Sequence, residues 1–218
     1  GVCIIDTGSG NTLVQIHAND PMIPASNQKL LTAGAALHVL GPDFEFTTRL
    51  ILNGKYLTIV GDGDPTIGDV ELHGLTDWSQ ENKMLDKELQ PWVEAVKTAG
   101  VKNIDTLFVD ARIFDQNFVH PSWPANQINN WYCAQVSGLN YHLNVVHFLP
   151  APQRGTTASL GDIAPRMKWI TFGNKTTSKA GTKYKSTFWI ARAPNTNKMT
   201  ARGNVNATHK VPVKVAFH

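Results

Sequence analysis

Helical periodicity stops near Gly138, and that change constrains the fold of this 218-residue chain more than any other feature. Before it, Leu30, Ala33, Leu37 and Leu40 recur at helical spacing over 26–40, and Gly41-Pro42 ends the pattern. A second helix is expected near Pro91, with Trp92, Val96 and Ala99 on one face and Gly100 as its stop. After Gly138 only strands are expected, over 183–192, 198–205 and 211–217, divided by Pro, Asn, Thr and Gly turns. Val211, Val213, Val215 and Phe217 alternate with period two. Segregation of this kind predicts an α+β fold.

Shorter signals fill in the first half. Val2–Ile5 and 13–17 read as a hairpin around Thr7-Gly8-Ser9-Gly10-Asn11. Tyr56–Val60 reads as a strand entering Gly61-Asp62-Gly63-Asp64-Pro65, and 104–110 as a buried strand after the second helix. Ala33 to Ala36, including Gly34, make the first helix thin and suited to burial.

At 42% apolar and 17% charged residues, with a mean hydropathy of −0.21, the chain is globular, neither disordered nor fibrous. No window holds the roughly 18 apolar residues of a transmembrane helix. Gly1-Val2-Cys3-Ile4-Ile5 carries no basic or apolar leader, so a secretion signal is expected to have been removed or left out. Cys3 and Cys133 are too few for a disulfide scaffold or a four-thiolate zinc site, and are expected to be buried free thiols rather than one long bridge.

The net charge of +3 conceals an asymmetry: residues 1–149 carry −8 and residues 150–218 carry +11. Such a basic third could attract an anionic polymer. The plainer reading makes Lys175, Lys179, Lys183 and Lys185 solvated faces packed against the acidic part. No stacking or recognition-helix pattern accompanies them, so nucleic acid is not an expected partner.

Ser26-Asn27-Gln28-Lys29 is the sharpest chemical signal. Three residues apart on a helix, Ser26 and Lys29 share a face. A lysine desolvated in a pocket gives up its proton more readily and could act as base toward the serine hydroxyl. First-turn N–H groups and the helix dipole would help to hold the oxyanion. Alone, Ser-x-x-Lys reads more simply as an N-capping serine with an exposed lysine.

Its surroundings give the motif meaning. Pro24-Ala25-Ser26-Asn27-Gln28-Lys29-Leu30-Leu31-Thr32-Ala33, with the Ala-rich helix and Leu40-Gly41, resembles the low-molecular-mass class C penicillin-binding proteins, the D-alanyl-D-alanine carboxypeptidase/endopeptidase family. Further segments are similar in the same order. They include Ile59-Val60-Gly61-Asp62-Gly63-Asp64-Pro65-Thr66, Gly100-Val101-Lys102-Asn103-Ile104 leading to Val109-Asp110, and Pro121-Ser122-Trp123-Pro124. Trp131-Tyr132, Val136-Ser137-Gly138-Leu139-Asn140 through Asn144-Val145-Val146, 191–197 and Gly203-Asn204-Val205 complete the set.

The resemblance implies a partial serine β-lactamase/transpeptidase-like domain over 1–53, an inserted αβ region over 54–137 and a β-rich inserted region over 138–218. It implies an extracytoplasmic or periplasmic serine peptidase acting on peptidoglycan stem peptides, with β-lactam antibiotics as covalent inhibitors. Ser26 would be the nucleophile, Lys29 its base, and Asp110 a carboxylate near the pocket for a substrate ammonium; an ordinary strand-end Asp capping Ala111-Arg112 is the plain alternative. No cofactor is implied.

The family's Ser-x-Asn and Lys-Thr-Gly motifs are missing. Ser137-Gly138-Leu139-Asn140 has the wrong spacing, and Lys179-Ala180-Gly181-Thr182 only mimics the second. The chain is expected to be an N-terminal part whose reading frame continues past His218. The alternative function is a catalytically silent module binding anionic cell-wall polymer. Ile4-Ile5-Asp6-Thr7-Gly8-Ser9 resembles an aspartic-protease loop, but that chemistry needs a second carboxylate, and a hairpin turn explains it. The eight histidines show no metal-ligand spacing: His142 and His147 stand five apart without a His-Glu-x-x-His pattern, and no metal is expected.

Overall fold

The structure is a computed structural model and describes residues 1–179, 181 and 185–218. The chain divides into two compact units, Gly1–Glu45 and Phe46–His218.

In the first unit, β1 (Val2–Ile5) and β2 (Thr12–Ile16) pair antiparallel. Asp6 builds the turn between them: Oδ1 accepts from the Gly8 amide at 2.9 Å and Oδ2 from the Ser9 hydroxyl at 2.6 Å. The Ser9 hydroxyl and then the Gly8 amide hold the Asp6 carboxyl below its usual pKa. The protease-like loop is therefore a self-capped turn. A 3-10 turn (Ala25–Asn27) leads into α1 (Gln28–Leu40), and Gly41 at φ 83 ends the helix by donating to the Leu37 carbonyl at 3.0 Å. The expectation of a buried helix is corrected: no residue of α1 is buried, and Leu30 and Val39 are 75% and 77% exposed. This unit offers the helix only a two-stranded hairpin, too little surface to cover it.

The second unit begins with a three-stranded sheet in the order β3 (Arg49–Asn53), β4 (Tyr56–Val60), β5 (Thr106–Asp110). β3 and β4 form a hairpin whose turn is Gly54-Lys55, so Asn53 is paired with Tyr56. β4 and β5 run parallel, which requires a crossover, and α2 (Glu81–Thr98) lies in it. The expected helix start near Pro91 is corrected. Asp77 caps a 3-10 turn (Trp78–Gln80) by accepting from the Ser79 amide at 3.0 Å, and α2 then runs through an exposed Pro91. The burial expected over 104–110 is also corrected, since Leu107, Phe108 and Val109 are 50–58% exposed.

The remaining strands are β6 (Val145–Phe148), β7 (Thr171–Ser178), β8 (Trp189–Arg192), β9 (Lys198–Val205) and β10 (Val213–Ala216). β6 pairs with β10, and the other three form a sheet in the order β7-β9-β8. Their inward side chains make the main core: Val146, Phe148, Ile170, Ile190, Met199, Ala201 and Val215. Each such burial contributes about 1.5–3 kcal/mol. The strand expected over 183–192 begins at Trp189, and its Lys183 lies outside the described residues, as do Ala180 and Thr182 of the mimic motif. A smaller cluster of Val70, Leu85 and Ala164 seats the first turns of α2, with Trp78 and Tyr141 packed against it. Both cysteines are free as expected, but Cys3 is exposed and only Cys133 is buried. Among the described residues no helix is long and apolar enough to cross a membrane.

Candidate active site

Ser26 sits in the 3-10 turn that opens α1, and Lys29 follows in the first turn of that helix, so both belong to one short stretch of the first unit. The residue before the serine, Ala25, has φ 46, a left-handed conformation that non-glycine residues seldom adopt. Such local strain is often concentrated at functional positions. Ser26 makes no side-chain capping bond, which removes its reading as a plain N-cap. No hydrogen bond joins the Ser26 hydroxyl to the Lys29 ammonium among the described residues. Lys29 is exposed, so the burial expected of it is not supplied by Gly1–Glu45. What the stretch provides is a hydroxyl and an amine on one face at a helix start.

Asp110 belongs to the second unit and ends β5. Its carboxylate is clamped by Arg112: Oδ1 accepts from the Arg112 amide at 3.2 Å and Nε at 2.8 Å, and Oδ2 from Nη2 at 2.6 Å. The Arg112 side chain, with its backbone amide second, pulls the Asp110 pKa down to about 2. The guanidinium is 87% exposed, so the clamp faces solvent. A substrate ammonium reaching Asp110 would have to share or displace this fork.

The segments that resemble the penicillin-binding family hold one another in place here. The Gly61 amide donates to the Asp110 carbonyl at 3.0 Å, and the Gly63 amide to the Gly138 carbonyl at 2.7 Å. A Cβ on Gly61 would collide with the Gly138 carbonyl, and one on Gly138 would meet the Ala111 carbonyl at 2.5 Å. Buried Asn140 donates to the carbonyls of Gly63 and Asp64 at 3.4 and 3.3 Å and accepts from the Asn144 side chain at 2.8 Å. Glycines and asparagines are needed where three backbone segments approach this closely.

One cluster escaped the reading of spacing. Glu81, His142 and His147 are 3%, 1% and 2% exposed and meet in the interior. Glu81 Oε1 lies 3.0 Å from His142 Nε2 and 2.6 Å from His147 Nδ1. Burial pushes the Glu81 pKa up, but the bonds from His142 and His147 outweigh it and the net direction is down. Burial also holds the His147 pKa below its usual value, against the opposing bond to Glu81. Glu81 stands 61 and 66 residues from its partners, too far for any spacing motif to join them.

Comparison with known proteins agrees with this architecture. The sequence profile of the family "D-Ala-D-Ala carboxypeptidase 3 (S13)" matches residues 1–218. A D-alanyl-D-alanine carboxypeptidase of Actinomadura sp. is 31% identical over 149 residues, covering 64% of this chain and 24% of that protein. A carboxypeptidase of Mycobacterium tuberculosis is 30% identical over 137 residues, 58% of this chain and 27% of that one. The crystal structure of penicillin binding protein 4 from Haemophilus influenzae superposes with a TM-score of 0.70 at 20% identity, over 99% of this chain and 46% of its own. The chain thus spans about a quarter of the curated relatives it matches. It belongs to the D-Ala-D-Ala carboxypeptidase 3 (S13) family.

Proposed function

We propose that this chain is the part of a serine-type D-alanyl-D-alanine carboxypeptidase/endopeptidase that carries its nucleophile. The observation that carries the reading is Ser26 and Lys29 at the start of α1 within a whole-length family match. Ser26 Oγ attacks the carbonyl carbon of the D-Ala–D-Ala bond, and the hydroxyl proton passes to the Lys29 amine. The tetrahedral oxyanion collapses, the C–N bond breaks, and the leaving amine takes the proton back from Lys29. Water then hydrolyses the Ser26 ester and restores the enzyme. Acylation of Ser26 by a β-lactam follows the same first step. The Haemophilus protein, solved also in complex with a β-lactam, supports that extension.

Lys29 must be neutral to serve as base, which calls for cover that the first unit does not provide. In the complete protein that cover and the second oxyanion donor would come from outside the matched quarter. Substrates would be stem peptides of peptidoglycan in an extracytoplasmic compartment, with Asp110 recognising an ammonium of the stem. The test is D-Ala release from a D-Ala-D-Ala peptide by the complete protein. Ser26→Ala is expected to abolish it, and Lys29→Ala to lower it by more than about 100-fold with the fold intact. Unchanged release by either folded variant would overturn the assignment.

A further inference from the structure

His142, Glu81 and His147 come from three places: the 3-10 turn His142–Asn144, the first residue of α2, and β6. His142 Nδ1 lies 2.8 Å from the Val145 carbonyl, which can only accept, so Nδ1 carries the hydrogen. In the neutral ring Nε2 therefore presents a lone pair, and it faces Glu81 Oε1 at 3.0 Å. A proton or a metal ion must therefore stand between Nε2 and Oε1. His147 Nδ1 approaches the same oxygen at 2.6 Å. Its other nitrogen, Nε2, is buried and has no partner among the described residues. The 2.6 Å contact places a proton between Nδ1 and the carboxylate, and a metal ion bound there would take that proton's place.

We propose that Glu81, His142 and His147 form a binding site for a divalent cation of the zinc class. The three ligand atoms lie within 4.8 Å of one another, and the rings stand 4.4 Å apart, centroid to centroid. Two imidazoles and one carboxylate are a borderline donor set that favours Zn²⁺, Co²⁺ or Ni²⁺ over the all-oxygen cages of Mg²⁺ and Ca²⁺. The His142-to-Val145 bond supplies the outer hydrogen bond that ligating histidines usually make, fixing tautomer and ring direction. Bonds of about 2.0–2.1 Å in tetrahedral geometry need ligand atoms about 3.3 Å apart. From 3.0 and 2.6 Å, the two contacts to Glu81 would open by about 0.3 and 0.7 Å through side-chain rotation. The ion would fasten the start of α2 to the β6–β10 pair and carry charge that the buried carboxylate otherwise shares with protons.

The experiment uses the 218-residue chain, stripped with chelator and equilibrated with zinc chloride. After gel filtration, elemental analysis is expected to find one zinc per chain, and a melting midpoint that rises with zinc but not with magnesium. Zinc K-edge absorption should show nitrogen and oxygen neighbours at about 2.0–2.1 Å, imidazole scattering and no sulfur. Glu81→Gln and His147→Ala should each weaken zinc binding by more than about 100-fold, since loss of outer partners alone costs 10–100-fold. His209→Ala should bind as the parent does. Zinc well below one per folded chain, a sulfur neighbour, or undiminished affinity in a folded Glu81→Gln chain would overturn the site. If the variants do not fold, the stoichiometry and absorption spectrum of the parent chain decide it.

Discussion

Asp110 and Tyr141 show how neighbours set what one side chain can do. Asp110 was read from sequence as a pocket carboxylate or a strand-end cap, and both readings start from its place at the end of β5. Arg112, two residues on, supplies the clamp, a local feature that sequence could carry. Tyr141 was invisible as a titrating group because its surroundings come from far along the chain. Burial first, then the charges of Glu88 and Asp86, push its phenol up to about 12. The folded value exceeds the unfolded one, so its contribution to stability is complete below about pH 10 and is lost as pH rises through about 12. Tyrosinate absorbance of the folded chain is expected to include a late phase near that value, and Tyr141→Phe should remove it. A complete titration near pH 10 in the folded chain would refute the assignment.

At the scale of elements, β4 and β9 lie where the sequence places strands, at Tyr56–Val60 and Lys198–Val205. Both are short, bounded by turn residues, and supported by direct strand neighbours. Proline is favoured in a first helical turn, so the local expectation is a helix start near Pro91. Here it is exposed in the middle of an 18-residue helix, where it lacks the N–H that would bond back to Lys87. An interior proline costs about 3 kcal/mol relative to alanine, offset by about 0.4–1 kcal/mol through the stiffer unfolded chain. Pro91→Ala is therefore expected to stabilise the chain by about 2 kcal/mol, read as a higher urea midpoint at unchanged slope. A lower midpoint would mean that the ring packs in a way its exposure denies. Strand β7 was not anticipated, because Thr171–Ser178 carries few apolar residues and draws its support from β9.

Across the whole molecule, the charge asymmetry survives folding in part. Arg192 is half-buried, with Nε donating to Asn129 Oδ1 at 3.0 Å and Nη2 to the Ile128 carbonyl at 3.2 Å. Lys214 pairs with Glu71 and lies 5.8 Å from the Trp78 ring. Lys175, Lys185, Lys198 and Lys210 remain exposed. Adsorption of the chain to anionic wall polymer at low ionic strength is expected to be released near physiological salt, where screening acts over about 8 Å. Retention at high salt would point to specific contacts instead. The α+β class was legible because helices and strands rest on residues close in sequence, and the proposed Ser26/Lys29 pair is likewise a local motif. The Glu81 cluster was not, since only the packing of α2 beside β6 creates it. Ser26 as the proposed nucleophile is tested most directly by mass spectrometry of the complete protein after incubation with penicillin. The predicted result is one stoichiometric adduct on the peptide containing Ser26, absent in Ser26→Ala. An adduct on any other residue, or equal labelling of folded Ser26→Ala, would contradict it.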